Sequence, residues 1–244
     1  MNSWYKNWFD SEEYLEVYSH RNENDAVNLL NLINTFLSLP AGSSILDAAC
    51  GSGRFCNLFA AQGFKITAFD LSKKLLELSV QESLNKHLKV QYFRADLRHI
   101  PLKSSFDLIL NMFTSFGYFN TDEENFSFID RTYSLLKING FFIFDYLNKE
   151  NVIRNIKPRT EKRINDKIIT EERSINNNRV EKVITIKTDK GKKVFKESVH
   201  MYTKDEIIKK SESFGFEVYK IFGDYLGTEF DELNSERLIV FFRK

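Results

Sequence analysis

Short apolar runs alternate with amphipathic stretches through the first 150 residues of the chain. The runs predict buried strands, and the stretches, in which apolar residues recur every three or four positions, predict helices packed on those strands. The first predicted strand begins at Ile45, and the next ones are residues 65–69, 90–93 and 106–110. The first predicted helix begins near Arg54, and the next ones are residues 71–84 and 123–136. This alternation predicts an α/β fold.

The two ends of the chain carry further predicted elements. Residues 12–39 predict a helical segment, because apolar side chains recur there at helical spacing until Pro40 and Gly42 end the pattern. Residues 204–214 predict a last helix, and the stretches 216–222 and 237–242 predict two strands after it. The elements of both ends therefore add to the same domain.

Residues 151–200 alternate β-branched with charged side chains, which predicts antiparallel strands. Residues 176–178 and 189–191 supply turn residues that tolerate a positive φ, as short hairpin connections require. This stretch contains 14 Lys and Arg against 7 Asp and Glu, a net charge of +7, so the rest of the chain carries −6. Such a basic face can attract an anionic substrate, a nucleic acid or an acidic partner, or it can be a solvated surface whose lysines discourage edge pairing.

Composition narrows the class of protein. With 42% hydrophobic residues among 244, the chain can bury one substantial core. It contains no run of about eighteen apolar residues and no basic and apolar leader, so we expect no membrane span, no signal peptide and a cytoplasmic location. Cys50 and Cys56 are the two cysteines, and the four histidines are scattered. We therefore expect reduced packing cysteines and no metal.

The sequence ILDAACGSGRF at residues 45–55 combines a buried strand, an acidic residue and a two-glycine turn. Gly51 and Gly53 let the backbone turn tightly beside a ligand, and the N-terminus of the following helix can receive a carboxylate or a phosphate. A dinucleotide fingerprint would place a third glycine where Cys56 stands, which counts against a nicotinamide cofactor.

Two aspartates are candidate ligand residues, each with a structural alternative. Asp70 ends the second predicted strand, where its carboxylate can accept hydrogen bonds from both hydroxyls of a ribose or can cap the next helix. Asp47 precedes the glycine turn, where it can contact a ligand or cap the N–H groups of the turn. Both roles can coexist at either residue.

The motifs along the chain resemble those of the class I S-adenosylmethionine-dependent methyltransferases. DAACGSG at 47–53 is similar to the first motif of that family, and AFDLS at 68–72 is similar to the acidic motif of its second strand. The resemblance continues through RADLRHIPL at 94–102, FDLIL at 106–110, NMFTSFGYF at 111–119 and LLKINGFFIFD at 135–145. Asn139-Gly140 departs from the more usual proline-glycine pair, which changes a turn but no ligand group.

The resemblance implies a Rossmann-like sheet of seven strands flanked by helices, with the seventh strand antiparallel in a hairpin at the sheet edge. It implies one domain with four parts: an N-terminal helical lid at 1–39, a cofactor-binding core at 40–150, an antiparallel β insertion at 151–202, and the C-terminal completion of the sheet at 203–244.

The resemblance also implies S-adenosylmethionine as the cofactor and S-adenosylhomocysteine as its product. Asp47 then orients the glycine loop and approaches the methionine ammonium, Asp70 binds the ribose, and Asp96 faces the adenine amino group. In similar small-molecule enzymes, a tyrosine and an arginine of the lid approach the methionine part of the cofactor. By their positions in this chain, the candidates are Tyr14 or Tyr18 for the tyrosine and Arg21 for the arginine. The predicted cofactor residues are Tyr14, Arg21, Asp47, Ala49, Gly51, Gly53, Asp70, Leu71, Asp96, Leu97, Asn111 and Met112.

Polar residues that follow the fourth and fifth strands are predicted to line the substrate side of the site, since open α/β sheets bind ligands at the carboxyl ends of their strands. These residues are Ser115, Tyr118, Asn120, Tyr146 and Asn148. Methyl transfer chiefly requires alignment of the acceptor and exclusion of water, so a base is optional. The candidates for a catalytic role are Tyr18, Tyr118, Tyr146 and His200.

The sequence therefore predicts methyl transfer to an oxygen or nitrogen atom of a small molecule. If that molecule is anionic, the basic insertion would attract it. One alternative is an RNA or protein methyltransferase that docks its substrate on the insertion, and another is a noncatalytic module that binds the cofactor. We expect a small-molecule partner rather than a nucleic acid or a membrane, and a monomer or homodimer.

Overall fold

Eleven strands and eight helices make up the part of the chain that the structure describes. The structure is a computed structural model that describes residues 3–18, 23–103 and 105–244. The strands are β1 (Ser44–Ala48), β2 (Lys65–Asp70), β3 (Val90–Arg94), β4 (Phe106–Asn111), β5 (Leu136–Leu147), β6 (Arg159–Ile164), β7 (Lys167–Asn176), β8 (Arg179–Thr188), β9 (Gly191–His200), β10 (Glu217–Phe222) and β11 (Arg237–Arg243). The helices are α1 (Trp4–Phe9), α2 (Glu12–Val17), α3 (Glu23–Phe36), α4 (Arg54–Ala61), α5 (Lys73–Asn85), α6 (Asp122–Leu135), α7 (Lys149–Asn155) and α8 (Lys204–Ser213).

The larger sheet has seven strands in the order β10-β11-β5-β4-β1-β2-β3. Strands β1 to β5 run parallel to one another, whereas β11 is antiparallel to both of its neighbours. The predicted Rossmann-like sheet of seven strands, with one antiparallel strand in a terminal hairpin, is confirmed. The carboxyl ends of β1, β2 and β4 lie side by side, because Asp47 pairs with both Ala68 and Leu110.

Alternate residues of the central strands enter two cores, because successive side chains of a strand point to opposite faces. On one face, Ile45 and Leu108 pack with helices α3 and α4. On the other face, Leu46 and Ile109 pack with helix α6 and with Ile207 of α8. Strand β1 is therefore apolar on both faces until it reaches Asp47, as expected for a strand at the centre of a parallel sheet.

The second sheet has four antiparallel strands in the order β6-β7-β8-β9 and is called the insertion sheet below. The predicted antiparallel insertion is confirmed. Asn177 and Asn178 form the two-residue turn between β7 and β8 with φ of 48° and 57°, the positive values that such a turn requires. The sequence pattern did not predict the short helix α7 that precedes this sheet.

Helices α1 and α2, within residues 3–18, are called the N-terminal segment below, and they pack on the insertion sheet. Trp8 and Val17 form a separate apolar cluster with Ile169 and Ile184 of that sheet. Helix α3 packs on the larger sheet instead. The predicted helical segment over 12–39 contains two helices, α2, which ends at Val17, and α3, which begins at Glu23, and they cover different sheets.

Within these described ranges, the structure contains no helix that is long and apolar enough to cross a membrane.

Candidate active site

A cavity of about 560 Å³ opens at the carboxyl ends of the parallel strands. Its walls come from the loop after β1, the ends of β2 and β4, the N-terminal segment and the insertion sheet. Most of the residues predicted from the sequence for the cofactor, or for a catalytic role, line it. These are Tyr14, Tyr18, Asp47, Ala49, Gly51, Asp70, Leu71, Asp96, Leu97, Met112 and Tyr118.

The loop after β1 turns through left-handed backbone conformations. Ala49 has a φ of 60°, Gly51 of 57° and Gly53 of 80°. A Cβ atom at Gly51 would meet no atom within 4 Å, whereas one at Gly53 would overlap the Ser79 hydroxyl of helix α5. Gly51 thus adopts the left-handed turn beside the cavity without strain, and Gly53, which does not line the cavity, lets α4 begin close to α5.

Asp47 lies at the end of β1 and is 2% exposed. Burial raises the pKa of its carboxyl group to about 7; the hydrogen bond from Cys56 and the charge of Arg54 lower it, and the charge of Asp70 adds to the rise. The Cys56 thiol donates to Asp47 Oδ2 over 3.1 Å. The residue that replaces the third glycine of a dinucleotide motif therefore contacts the predicted cofactor aspartate, which the sequence did not reveal.

Asp70 joins the glycine loop to the start of helix α5. The backbone N–H of Gly51 donates to its Oδ2, and that of Ser72 donates to its Oδ1, both over 2.8 Å. Burial raises the pKa of this carboxyl group above its usual value, although these backbone donors oppose the rise. A carboxylate has about four acceptor positions, so Asp70 can hold the loop and still accept hydrogen bonds from a ribose.

Asp96 lines the cavity in an ion pair that the sequence did not reveal. Arg98 Nε donates to Asp96 Oδ1 over 3.0 Å, and Arg98 Nη2 donates to Oδ2 over 2.8 Å. Burial by itself would raise the pKa of Asp96, but Arg98 outweighs it and holds the pKa below its usual value. Asp96 therefore stays ionised and acts as an acceptor at this wall.

Several predicted residues do not line the cavity. The Tyr146 side chain is fully buried and its hydroxyl donates to the backbone carbonyl of His200. His200 packs on the ring of Tyr202, and burial with the charge of Arg179 lowers its pKa. The Asn111 amide is buried and donates to the Ala48 carbonyl over 3.1 Å. Gly53 is likewise not at the wall, and Arg21 lies outside the described residues.

The predicted substrate wall is also only partly at the cavity. Ser115 and Tyr118 line it, together with Thr114. Asn120 and Asn148 do not, and the Asn148 amide instead donates to two backbone carbonyls of the loop before β11.

The insertion sheet contributes a charged wall that the sequence did not reveal. Lys182 of β8 and Glu197 of β9 line the cavity and lie opposite each other in the strand register. Glu197 accepts hydrogen bonds from Trp8 Nε1 and from the Tyr18 hydroxyl, both over 2.6 Å, and from Lys182 Nζ over 2.8 Å. Burial alone would raise the pKa of Glu197, but the charge of Lys182 and these donors hold it below its usual value.

The positive charge of the insertion sheet is partly offset within the chain. Lys167 pairs with Glu16 over 2.6 Å, and Lys193 pairs with Glu13 over 2.5 Å. Both glutamates belong to helix α2. Part of the predicted basic surface is therefore used to bind the N-terminal segment.

Arg237 is the charged residue that β11 places at the cavity wall. Its guanidinium contacts Asp145 Oδ1 with Nε over 2.8 Å and Nη2 over 2.6 Å, and Nη2 also donates to Thr114 Oγ1. Asp145 is fully buried, and its Oδ2 accepts from the Phe113 N–H and the Tyr225 hydroxyl. The ion pair fixes the loop after β4 to the end of the sheet.

The geometry fits a nucleoside cofactor that carries an amino acid. Asp70 offers acceptors for ribose hydroxyls beside the Gly51 turn, and Asp47 offers a buried carboxylate for an ammonium group. The described residues contain no group of three or more His, Cys, Asp or Glu that could hold a metal ion.

Comparison with known proteins agrees with this geometry. Residues 45–140 match the family model described as a methyltransferase domain. The chain is 30% identical over 101 residues to a putative methyltransferase of Geobacillus sp. strain WCH70, an alignment that covers 41% of each chain. The chain spans about two fifths of the length of the curated relatives that it matches first.

Solved structures extend the similarity to the whole chain. A S-adenosylmethionine-dependent methyltransferase from Clostridium acetobutylicum ATCC 824 aligns with a TM-score of 0.80 and 17% identity over 95% of this chain and 97% of that one. CalS10 is an amino pentose methyltransferase from Micromonospora echinaspora that was solved with S-adenosylmethionine bound. It aligns with a TM-score of 0.70 and 19% identity over 96% of this chain and 98% of that one. The predicted class I methyltransferase fold is confirmed.

Proposed function

We propose that this protein is an S-adenosylmethionine-dependent methyltransferase that transfers a methyl group to an oxygen or nitrogen atom of a small molecule. The observation that carries the proposal is the composition of the cavity. One part is lined by the Gly51 turn and Asp70, which suit the cofactor, and another part by polar side chains of the N-terminal segment and the insertion sheet. A cofactor and an acceptor can therefore meet in one cavity.

The residues that line the cavity indicate which side chains would hold the cofactor. Gly51 and Asp70 would bind the ribose side, Leu71 and Leu97 would flank the base, and Asp47 would face the amino acid end. When bound, the cofactor supplies a methyl group activated by its sulfonium. The part of the protein is then to align the acceptor with that methyl group and to exclude water.

The size and cover of the cavity favour a small acceptor. Its volume of about 560 Å³ lies in the range typical of small-molecule sites. Aromatic residues of the N-terminal segment cover it, and the rings of Trp4 and Phe9 both pack on Tyr118 of the loop after β4. A macromolecular substrate would have to displace this cover.

Calorimetric titration of the purified protein with S-adenosylhomocysteine and, separately, with NAD tests the proposal. We expect micromolar binding of S-adenosylhomocysteine and no binding of NAD, because Cys56 occupies the position of the third glycine of a dinucleotide motif and contacts Asp47. Binding of NAD, or of neither ligand, would contradict the proposed function.

Cofactor binding is expected to depend on pH through Asp47. Its carboxyl group has a pKa of about 7 in the free protein against an ordinary value of 3.8. Between these values the folded protein holds a proton that the unfolded chain lacks, so stability falls as pH rises across this window and is constant above it. A ligand ammonium that requires ionised Asp47 must release that proton, so the affinity for S-adenosylhomocysteine should rise roughly tenfold from pH 6 to pH 8.

Calorimetry in two buffers of different ionisation enthalpy measures this coupling directly. At pH 6 the wild-type protein should release a proton on binding, and the Asp47→Asn variant should bind more weakly with no proton release. The charged or titratable groups facing Asp47 are Cys50, Arg54, Cys56 and Asp70, and all of them remain in the variant. An affinity that is constant from pH 6 to pH 8 in the wild-type protein would exclude this role of Asp47.

A further inference from the structure

The charged groups of the cavity divide between its two parts. Asp47, Asp70 and Asp96 line the part that suits the cofactor, where Arg54 begins helix α4 beside the loop. The other charged lining groups of the described residues are Lys182, Glu197 and Arg237, which come from β8, β9 and β11. An acceptor that lies next to the cofactor must therefore make its charged contacts with these three residues.

The two carboxylates at this end are already engaged. Glu197 accepts three hydrogen bonds, one of them from the ammonium group of Lys182. Asp145, behind Arg237, is fully buried and accepts from the guanidinium, a backbone N–H and a tyrosine hydroxyl. A cationic acceptor would find each carboxylate with a positive partner in place, and it would meet repulsion from Lys182 and Arg237.

The ammonium group of Lys182 can still donate a hydrogen bond at this end. Lys182 Nζ donates to Glu197 and, over 2.6 Å, to the Tyr18 hydroxyl, which uses two of its three protons. Because a buried donor without a partner is costly, a ligand at this end should supply hydrogen-bond acceptors.

We propose that the acceptor is an oxygen nucleophile, neutral or anionic, whose reacting oxygen accepts a hydrogen bond from Lys182 Nζ and, when it carries a proton, donates that proton to the Tyr18 hydroxyl oxygen, and that cationic amines are excluded. This inference rests on the proposed function and narrows its acceptor atom to oxygen. Lys182 acts by binding the acceptor oxygen, and Glu197 holds both Lys182 and Tyr18 and takes up the proton of a neutral acceptor through Tyr18.

The step that this arrangement supports is balanced in atoms and charge. A lone pair of the acceptor oxygen forms the new carbon–oxygen bond while the carbon–sulfur bond breaks and its electron pair passes to sulfur. The hydroxyl proton of a neutral acceptor passes to the Tyr18 oxygen, and the proton of Tyr18 passes to Glu197 along the existing 2.6 Å hydrogen bond. An acceptor that binds as an anion needs no proton transfer.

Catechol and benzylamine are suitable probes, because they share a flat ring that suits the aromatic walls but carry hydroxyl groups in one case and an ammonium group in the other. The ring centroids of Trp4 and Tyr118 lie 5.0 Å apart at that wall. Each probe is titrated into the protein saturated with S-adenosylhomocysteine, and binding is followed by ligand-observed NMR. We expect catechol to bind and benzylamine not to bind.

The matched variants test Lys182 itself. Lys182→Met combined with Glu197→Gln removes both charges of the pair and leaves no uncompensated buried ion, and it should weaken catechol binding about tenfold or more. Lys187→Met, an exposed lysine of the same strand β8, should leave catechol binding unchanged. Both variants should bind S-adenosylhomocysteine as the wild-type protein does.

The outcomes separate the two proposals. If the wild-type protein binds S-adenosylhomocysteine but prefers benzylamine, binds neither probe, or binds catechol equally well in the double variant, the oxygen acceptor is wrong while the proposed function stands. If the wild-type protein does not bind S-adenosylhomocysteine, the proposed function itself fails.

Discussion

Replacing Asp70 with Asn should weaken binding of S-adenosylhomocysteine about 100-fold, the largest functional effect that we expect from a single substitution. A hydrogen bond to a charged group contributes about 1.5–3 kcal/mol, and a ribose offers Asp70 two of them. The amide would also place an NH₂ group against the backbone N–H of Gly51 or of Ser72, both of which now donate to the carboxylate. The variant therefore loses ligand contacts and the support of the glycine loop together.

Calorimetry at pH 8 measures this effect, with Asp130→Asn as the control because Asp130 is an exposed aspartate on helix α6. The control should bind as the wild-type protein does. Thermal unfolding without ligand shows whether the Asp70→Asn variant is folded, and its fold should persist because the substitution removes a buried charge whose pKa is raised by burial. An affinity within threefold of the wild-type value in a folded variant would show that Asp70 does not bind the ligand.

Replacing Arg237 with Met should lower the free energy of unfolding by about 3–5 kcal/mol, which is the largest effect on stability that we expect. Asp145 has no exposed surface, and Arg237 is its charged partner over 2.6 Å. Removal of the guanidinium leaves a buried carboxylate held by a backbone N–H and the Tyr225 hydroxyl alone. The cost is that of the uncompensated charge rather than of the lost contact.

Urea denaturation of three variants separates these causes. Arg243→Met removes an arginine from the other end of β11, where it contacts the exposed Asn139 side chain, and should cost less than about 1 kcal/mol. Arg237→Met combined with Asp145→Asn removes both buried charges and should recover most of the stability. If Arg237→Met costs no more than Arg243→Met, the ion pair does not hold the loop after β4.

The elements of the larger sheet could be predicted from the sequence because their signals are local. The apolar run that begins at Ile45 ends at Asp47, where the strand β1 reaches the edge of the sheet, and Gly51 and Gly53 adopt the positive φ values that their positions require. Such features depend on the side chain and the backbone of neighbouring residues. The insertion strands and the turn at Asn177 and Asn178 could also be predicted, because their signals are local too.

The contacts of Cys56 and Lys182 could not be predicted, because they depend on how whole helices and strands pack against one another. Cys56 lies nine positions from Asp47, and only the packing of helix α4 against β1 brings its thiol to the carboxylate. Lys182 lies in an alternating stretch that is typical of a surface strand. The N-terminal segment covers that strand with an apolar cluster around Trp8, which turns a predicted solvated face into a cavity wall.

The same reason explains the predicted residues that do not line the cavity. Tyr146 and His200 have the chemistry of catalytic residues, but the backbone of β9 passes close to β5 and the Tyr146 hydroxyl is used there to bond the His200 carbonyl. Side chains of one strand alternate between faces, and a small shift in where a strand meets its neighbour decides which of them reaches a ligand.

The sequence by itself determined the α/β class, the succession along the chain of the strands and helices that form the larger sheet, the glycine turn, and the carboxylates Asp47 and Asp70 beside it. Periodicity, turn chemistry and the spacing of short motifs carry that information locally. Only the tertiary structure decided which face of the insertion sheet is buried, and thereby placed Lys182 and Glu197 in the cavity with Trp8 and Tyr18. Contacts between residues more than 150 positions apart leave no periodic signal, because they arise from the packing of whole elements.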